Sequence, residues 1–239
     1  MARGGHKPGG RRSGGMGGAR TTTERVKSAR GRKLSSTLWL QRQLNDPYVQ
    51  AARRDGYRSR AAYKLLQIDE RFELLQPGQR VVDLGAAPGG WTQVIVDHLE
   101  PDEDDTDIVA IDILEMEPMG GVKVLVGDIE DEATVVELRD AIGGPVDVVL
   151  SDMATATTGH PSTDHLRTMT LAEAAFVFAC EVLAPHGAFA TKVFQGADEP
   201  ALFKALQKRF DKVRRFKPKA SRADSVEMFL VATGYKGSK

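Results

Sequence analysis

The stretch Val81-Val82-Asp83-Leu84-Gly85-Ala86-Ala87-Pro88-Gly89-Gly90 decides the fold. A short β-branched run reads as a strand over Arg80–Gly85 and breaks directly into a glycine-rich turn. A helix is expected over Gly89–Leu99. Glycine allows the tight turn and lets a ligand approach the backbone closely. In an open parallel sheet, ligands bind beyond the carboxyl ends of the strands. A glycine loop alone is a weak signal, because many nucleotide sites carry one. Its meaning rests on what surrounds it.

Downstream, short Val/Ile runs alternate with helical stretches. Strands are expected over Ile108–Asp112, Val122–Val126, Val146–Ser151 and Ala188–Val193, and helices over Asp131–Ile142, Leu166–Leu183 and Ala201–Phe210. Two further strands, Lys212–Lys217 and Val226–Thr233, are close enough in sequence to form an antiparallel hairpin at one edge. The pattern implies an α/β fold with a mostly parallel seven-stranded sheet covered by helices on both faces. Upstream, Ser59 reads as the N-cap of a helix over Arg60–Leu75, with Ala62, Leu65, Leu66, Ile68 and Phe72 on its apolar face. Pro77-Gly78 would stop it. Pro47 would open another helical turn, and structure would begin near Ser35 with a helix carrying Leu38, Trp39, Leu40 and Leu44.

The 239 residues have zero formal net charge, but residues 1–33 carry +9 and the remainder −9. Residues 1–34 are Gly/Arg-rich with almost no large apolar side chains, so a disordered basic arm is expected there. Residues 35–239 would form one domain. A basic arm on an acidic body suggests a polyanionic partner; a solvated tail is the bland alternative. Cys180 is the sole cysteine, which excludes a disulfide framework or zinc spacing and reads as a buried small hydrophobe in a reducing cytoplasm. No apolar run reaches membrane-spanning length, and the start has no apolar core of a secretory signal. No metal is expected.

Asp112 ends the second strand, placed for ribose hydroxyls, and Asp128 follows the third, placed for an adenine amino group. With Asp83 and Asp152, four carboxylates would crowd one end of the sheet. That suits a cofactor with a cationic end and repels a pyrophosphate. S-adenosylmethionine carries a sulfonium and an ammonium but no phosphate. The alternative for each Asp alone is a turn or helix cap. Lys192 lies in the small apolar strand Gly187–Lys192. Lysine is rarely buried unpaired, and desolvation or a neighbouring cation moves it toward use as a base.

Ser59-Arg60-Ala61-Ala62-Tyr63-Lys64, Asp83 to Trp91, Leu150-Ser151-Asp152, Thr191-Lys192 and Ser221 to Glu227 together resemble the FtsJ-type RNA 2′-O-methyltransferases. The resemblance spans about residues 35–236. It implies a Rossmann-like class I S-adenosylmethionine-dependent methyltransferase with a catalytic tetrad at Lys64, Asp152, Lys192 and Glu227, Lys192 being the proton acceptor. It implies cofactor contacts at Gly89, Trp91, Asp112, Asp128 and Asp152. The expected reaction is methyl transfer to a ribose 2′-hydroxyl, a uridine of 23S ribosomal RNA in the large (50S) subunit. Transfer RNA methylation and a non-catalytic ribosome-assembly role are the alternatives within this reading.

Arg42, Arg53, Arg54, Arg58, Arg60 and Lys64, interleaved with Tyr48, Tyr57 and Tyr63, suggest an RNA surface of phosphate-holding and base-stacking groups. Lys217, Lys219 and Arg222 would form an opposite wall. His160 and His165 fall in the loop expected after Asp152 and receive no chemistry. A nucleotide-dependent oxidoreductase could use the same fold; the acid-rich pocket and the absent G-x-G-x-x-G order oppose it.

Overall fold

The computed structural model describes residues 41, 43–102, 107–155 and 158–237. The basic arm, its boundary at residues 34–35, Arg42 and the helix expected around Leu38–Leu40 lie outside the described residues. A compact α/β unit occupies Asp46–Lys239. Among its described residues, seven strands form one sheet: β1 (Val81–Leu84), β2 (Ile108–Asp112), β3 (Val122–Val126), β4 (Val146–Ser151), β5 (Leu183–Phe194), β6 (Phe210–Phe216) and β7 (Glu227–Tyr235). The helices are α1 (Pro47–Asp55), α2 (Ala62–Phe72), α3 (Gly90–Leu99), α4 (Glu132–Ile142), α5 (Pro161–Val182) and α6 (Glu199–Arg209).

The strand order is β3-β2-β1-β4-β5-β7-β6. β1 to β5 are parallel, and β7 lies antiparallel between β5 and β6. Alternate residues leave opposite faces of a strand, and two apolar layers follow from that parity. Val82, Leu84, Val149, Phe189 and Leu230 join the layer covered by α4, α5 and α6. Val81, Val148, Leu150, Ala190 and Phe229 join the layer covered by α2 and α3. Burial on both faces is why the central strands read as continuous Val/Ile runs rather than alternating ones.

Several boundaries differ from the sequence reading. α2 starts at Ala62 rather than Arg60; the Ser59 hydroxyl oxygen accepts from the Ala61 N–H at 3.2 Å and so closes the preceding turn. The helix ends at Phe72 because Glu73 takes a left-handed conformation (φ 52°) before Pro77 is reached. α5 starts at Pro161, five residues before Leu166, so His165 lies on a helix and His160 at its N-cap rather than in a loop. Its first turn is polar and escaped an apolar-pattern reading. Asp164 secures it by accepting from the Thr158 N–H at 2.8 Å and hydroxyl at 2.7 Å. Cys180 is half-buried rather than buried. The last two strands do pair antiparallel, but only β6 is at the edge; β7 is interior, with a neighbour on each side.

Phe189 is fully buried in the middle of β5, with its ring 6.4 Å from that of Phe210. Phe189→Ala is expected to cost about 3–5 kcal/mol through lost transfer energy and a residual cavity. A urea titration checks this: the midpoint should fall with the slope unchanged, and an unmoved midpoint would contradict the packing.

Candidate active site

Four distant stretches deliver one charged cluster. Lys64 projects from the first turn of α2, Asp152 directly follows β4, Lys192 lies within β5 and Glu227 opens β7. β5 and β7 place Lys192 opposite Phe229. Glu227 and Phe229 share one strand parity, so both side chains leave the sheet toward α2 and α3. Lys64 Nζ donates to Asp152 Oδ2 at 3.2 Å and Oδ1 at 3.3 Å, and to Glu227 Oε2 at 2.9 Å. Lys192 Nζ donates to the Asp152 backbone carbonyl at 2.7 Å and lies 3.2 Å from Asp152 Oδ1. The Phe229 ring lies beneath, its centroid 5.7 Å from Lys64 Nζ. Ser221, buried and passed over in the sequence reading, donates its hydroxyl to Glu227 Oε1 at 2.7 Å. The sequence signal was available: Ser221 sits six residues before Glu227 in the same motif.

The two lysines are driven in opposite directions. Burial disfavours the charge on Lys64, but Asp152 and Glu227 outweigh it and hold the ammonium above its ordinary range. Burial also lowers Lys192, which is 5% exposed; Asp152 opposes that shift and the nearby Lys64 reinforces it, so the net direction is down. Burial alone would raise Asp152, yet Lys192 and Lys64 overcome it and keep the carboxylate ionised below its usual range. The arrangement fixes one cation and one anion and leaves Lys192 as the group nearest to giving up its proton.

Two cavities adjoin at this cluster and share Gly85, Ala87 and Asp152. One, of about 360 Å³, is lined by Lys64, Glu227, Arg60, Arg222 and Trp91. The other, of about 370 Å³, lies beyond the ends of β1, β2 and β4. Its lining includes Asp112, Asp128, Glu130 and Asp152 but no Lys, Arg or His. A wall of carboxylates disfavours a pyrophosphate and suits a ligand with a cationic end. Asp112 is held ready: its Oδ2 accepts from the Ala87 N–H at 3.0 Å and its Oδ1 from the Leu114 N–H at 2.9 Å. Each carboxylate oxygen retains a second lone pair for a hydroxyl. Asp128 likewise accepts from the Glu130 N–H at 2.9 Å, so both acids do serve as turn caps while facing the cavity. Ile113 and Leu114 are 65% and 63% exposed on its wall. This apolar pair directly after the strand-end Asp112 was not singled out in the sequence reading. Gly85 (φ 77°) leaves space that a Cβ would fill, since such an atom would lie 2.6 Å from Met153 Cγ.

Some expected site residues stand elsewhere. Asp83 lines neither cavity: it is fully buried under the loop, with Oδ2 accepting from the Thr92 hydroxyl at 2.7 Å and Oδ1 without a partner. Three carboxylates of the expected four therefore face the pocket, because Asp83 precedes the end of β1 and its side chain turns into the α3 interface. Trp91 is buried, and its indole N–H donates to the Ala61 carbonyl at 2.8 Å. It joins α3 to α2 while closing one side of the first cavity. Gly89 (φ 105°) caps the start of α3. Of the expected RNA-facing residues, Arg58 is tied to the Glu117 and Pro118 carbonyls at 2.8 and 3.1 Å. Arg60 is paired with Asp46 at 2.5 Å. Tyr48 and Tyr57 both pack against Tyr63, Tyr48 tilted with its centroid 5.4 Å away and Tyr57 edge-to-face at 5.7 Å. Arg53 and Arg54 remain exposed. His165 lies 3.2 Å from Asp198.

The sequence matches the family described as FtsJ-like methyltransferase over residues 57–235. A ribosomal RNA large subunit methyltransferase E from Paramagnetospirillum magneticum is 58% identical, the match covering 100% of this chain and 99% of the relative. One of the same description from Brucella ovis is 48% identical over 99% of this chain and 100% of its own. A crystal structure of a Plasmodium falciparum protein assigned as a ribosomal RNA methyltransferase superposes with a TM-score of 0.67 at 29% identity, covering 76% of this chain and 100% of that one. Among the described residues, no helix is long and apolar enough to cross a membrane.

Burial pushes the Asp83 carboxyl up to about 7, with Asp152 and Asp112 adding to the shift against the Thr92 hydrogen bond. Its folded value lies above its unfolded one, so the stability it contributes is full below about pH 4 and is lost as pH rises through about 7. Asp83→Asn removes that loss. Relative to the parent, the variant should gain stability on the order of 2 kcal/mol between pH 5 and 8. Parallel pH–stability curves for the two proteins would show that Asp83 does not titrate there.

Proposed function

This chain is a member of the FtsJ-like methyltransferase family, and we propose that it transfers the methyl group of S-adenosylmethionine to a ribose 2′-hydroxyl of RNA. The substrate we infer is a uridine in 23S ribosomal RNA of the large (50S) ribosomal subunit, met in the cytoplasm. The names of the relatives support the ribosomal RNA. The observation that carries the reading is the meeting of two lysines and two carboxylates around Asp152, which lines both cavities; Lys64 and Glu227 line the first, and Lys192, on neither wall, joins the cluster through its contacts with Asp152.

The acid-lined cavity would hold the methyl donor, with Asp112 for ribose hydroxyls and Asp128 for the adenine amino group; of the other two expected contacts, Trp91 lines the neighbouring cavity and Gly89 lines neither. When bound, S-adenosylmethionine supplies an electrophilic methyl on a sulfonium, already a good leaving group. The residues of this chain must then place a weakly nucleophilic hydroxyl and manage one proton. Lys192 Nζ accepts the proton that the 2′-oxygen gives up, helped by burial and by the fixed charge of Lys64. Asp152 holds Lys192 through its backbone carbonyl and its carboxylate. Glu227, held by Ser221 on one oxygen, keeps Lys64 aligned with the other. Buried Phe229 and Trp91 keep water from the apolar side. An intact tetrad argues against a purely RNA-binding assembly factor, and the relatives are named for large-subunit ribosomal RNA rather than transfer RNA. The Gly/Arg-rich arm over residues 1–34 would add sequence-independent phosphate affinity.

Lys192→Ala should bind RNA and S-adenosylmethionine as the parent does but lose about 10²–10⁴-fold in kcat. In the parent, kcat should rise with pH and level off below the ordinary lysine value of about 10.4; equal methylation by the two proteins would remove the proton-handling role. Mapping 2′-O-methylated nucleotides in ribosomal and transfer RNA with and without the protein identifies the target. Deleting residues 1–33 should weaken RNA binding and flatten its salt dependence, with methyl-donor affinity unchanged. An unaltered salt slope would deny the arm a role.

A further inference from the structure

Outside the arm the chain is acidic, yet residues 204–222 hold nine Lys or Arg against one acid, Asp211. A single-sign run of that density on a body of net −9 is a local feature that the overall charge conceals. The structure lays much of it along the edge of the sheet. β6 is the edge strand, and Lys212 and Arg214 share one of its faces. With Arg71 of α2 they line a cavity of about 270 Å³, floored by Phe72 and Phe216 in edge-to-face contact at 5.4 Å. Lys212, Arg214 and Arg71 are exposed and form no ion pair with a carboxylate among the described residues.

The strand direction gives the row its meaning. β6 climbs from Phe210, opposite Tyr235, to Phe216, opposite Phe229. Phe229 is the residue that pairs with Lys192 across β7 and lies under Lys64. Past Phe216 the chain continues through exposed Lys217 and Lys219 to Arg222, on the wall of the cavity that holds Lys64 and Glu227. Lys217 Nζ also donates to the Ser225 carbonyl at 2.6 Å, securing the turn that delivers Glu227. A row of cations therefore runs from the far edge of the sheet to the proposed ribose site.

We propose that this ridge, Arg71, Lys212 and Arg214 continuing to Lys219, binds the phosphate backbone of the RNA strand flanking the target nucleotide. The proposal rests on the reading of the site as an RNA methyltransferase centre. Alternate residues of a strand recur about every 6.6 Å, so successive cations present a regular line rather than a point. Fixed cations along a line recognise a polyanion through counterion release without reading its bases. Sequence choice is left to the ribose cavity. Charges on an edge strand also discourage sheet-to-sheet pairing, but that role requires neither a single sign nor a path to the active site.

The test uses the full chain with Arg71→Gln, Lys212→Gln and Arg214→Gln combined, and a charge-keeping control, Lys212→Arg with Arg214→Lys. Parent methylation of ribose in the RNA substrate first checks the underlying reading; its absence would count against the function and not against the ridge, because binding is read separately. The neutral variant should raise KM for RNA about tenfold and leave kcat and methyl-donor affinity unchanged. It should also reduce the slope of log K against log salt by about 2 to 3. The control should match the parent, and thermal unfolding should be similar in all three. Unchanged KM and salt slope would overturn the proposal, as would self-association as the neutral variant's sole defect. A loss seen with intact subunits but absent with protein-free RNA would point to an acidic protein partner instead and equally overturn it.

Discussion

The Asp152 carboxylate lies between two buried ammonium groups, and the architecture around it follows from that constraint. A buried charge without a partner costs several kcal/mol, so Lys64, Lys192 and Asp152 are tolerated only as a set. Asp152 contacts both lysines within 3.3 Å, and Glu227 supplies the second anion. Two anions against two cations would leave both lysines charged if they were equally served. They are not: Lys64 contacts both carboxylates, while Lys192 contacts Asp152, feels Glu227 only at longer range, and lies deeper. The asymmetry of partners sets the two lysines apart: Lys64 is held charged and Lys192 is pushed toward its neutral form.

That separation depends on the strand order. Five parallel strands bring the loop after β1 and the residue after β4 to one end of the sheet, as any fold of this kind would. The insertion of antiparallel β7 between β5 and β6 then brings Glu227 to the same end from the C-terminal part of the chain. Were β7 the edge strand, Glu227 would stand one strand farther from Lys192. With this order, Phe229 pairs with Lys192 on one side and with Phe216 on the other. The same strand thus connects the tetrad to the basic edge.

The two cavities meeting at Asp152 have complementary chemistry. The acid-lined one lacks a basic side chain, and the other has Lys64, Arg60 and Arg222 on its wall. The contrast suits a cationic ligand on one side of Asp152 and an anionic one on the other. Alignment of two reactants is itself a large part of the rate enhancement available to such a site. Gly85 borders both cavities, and a side chain there would run into Met153.

The sequence alone determined the fold class, and it named the four side chains that the structure brings together around Asp152. Buried strands must be apolar on both faces, and a glycine turn at a strand end leaves a local record, so the Val81–Gly90 stretch was readable. The four residues were named through the resemblance of their motifs to those of a known family; nothing in their spacing along the chain joins them. Helix starts were less readable: the polar first turn of α5 carries no apolar period, and its capping by Asp164 depends on a partner six residues away. What only the tertiary structure decided is direction and neighbourhood. Asp83 matched the other strand-end acids in sequence, yet it turns inward to Thr92. Arg58 and Arg60 matched a phosphate-binding pattern, yet carbonyls and Asp46 occupy them. The local chain records which residues are charged; long-range packing decides which charges are already satisfied.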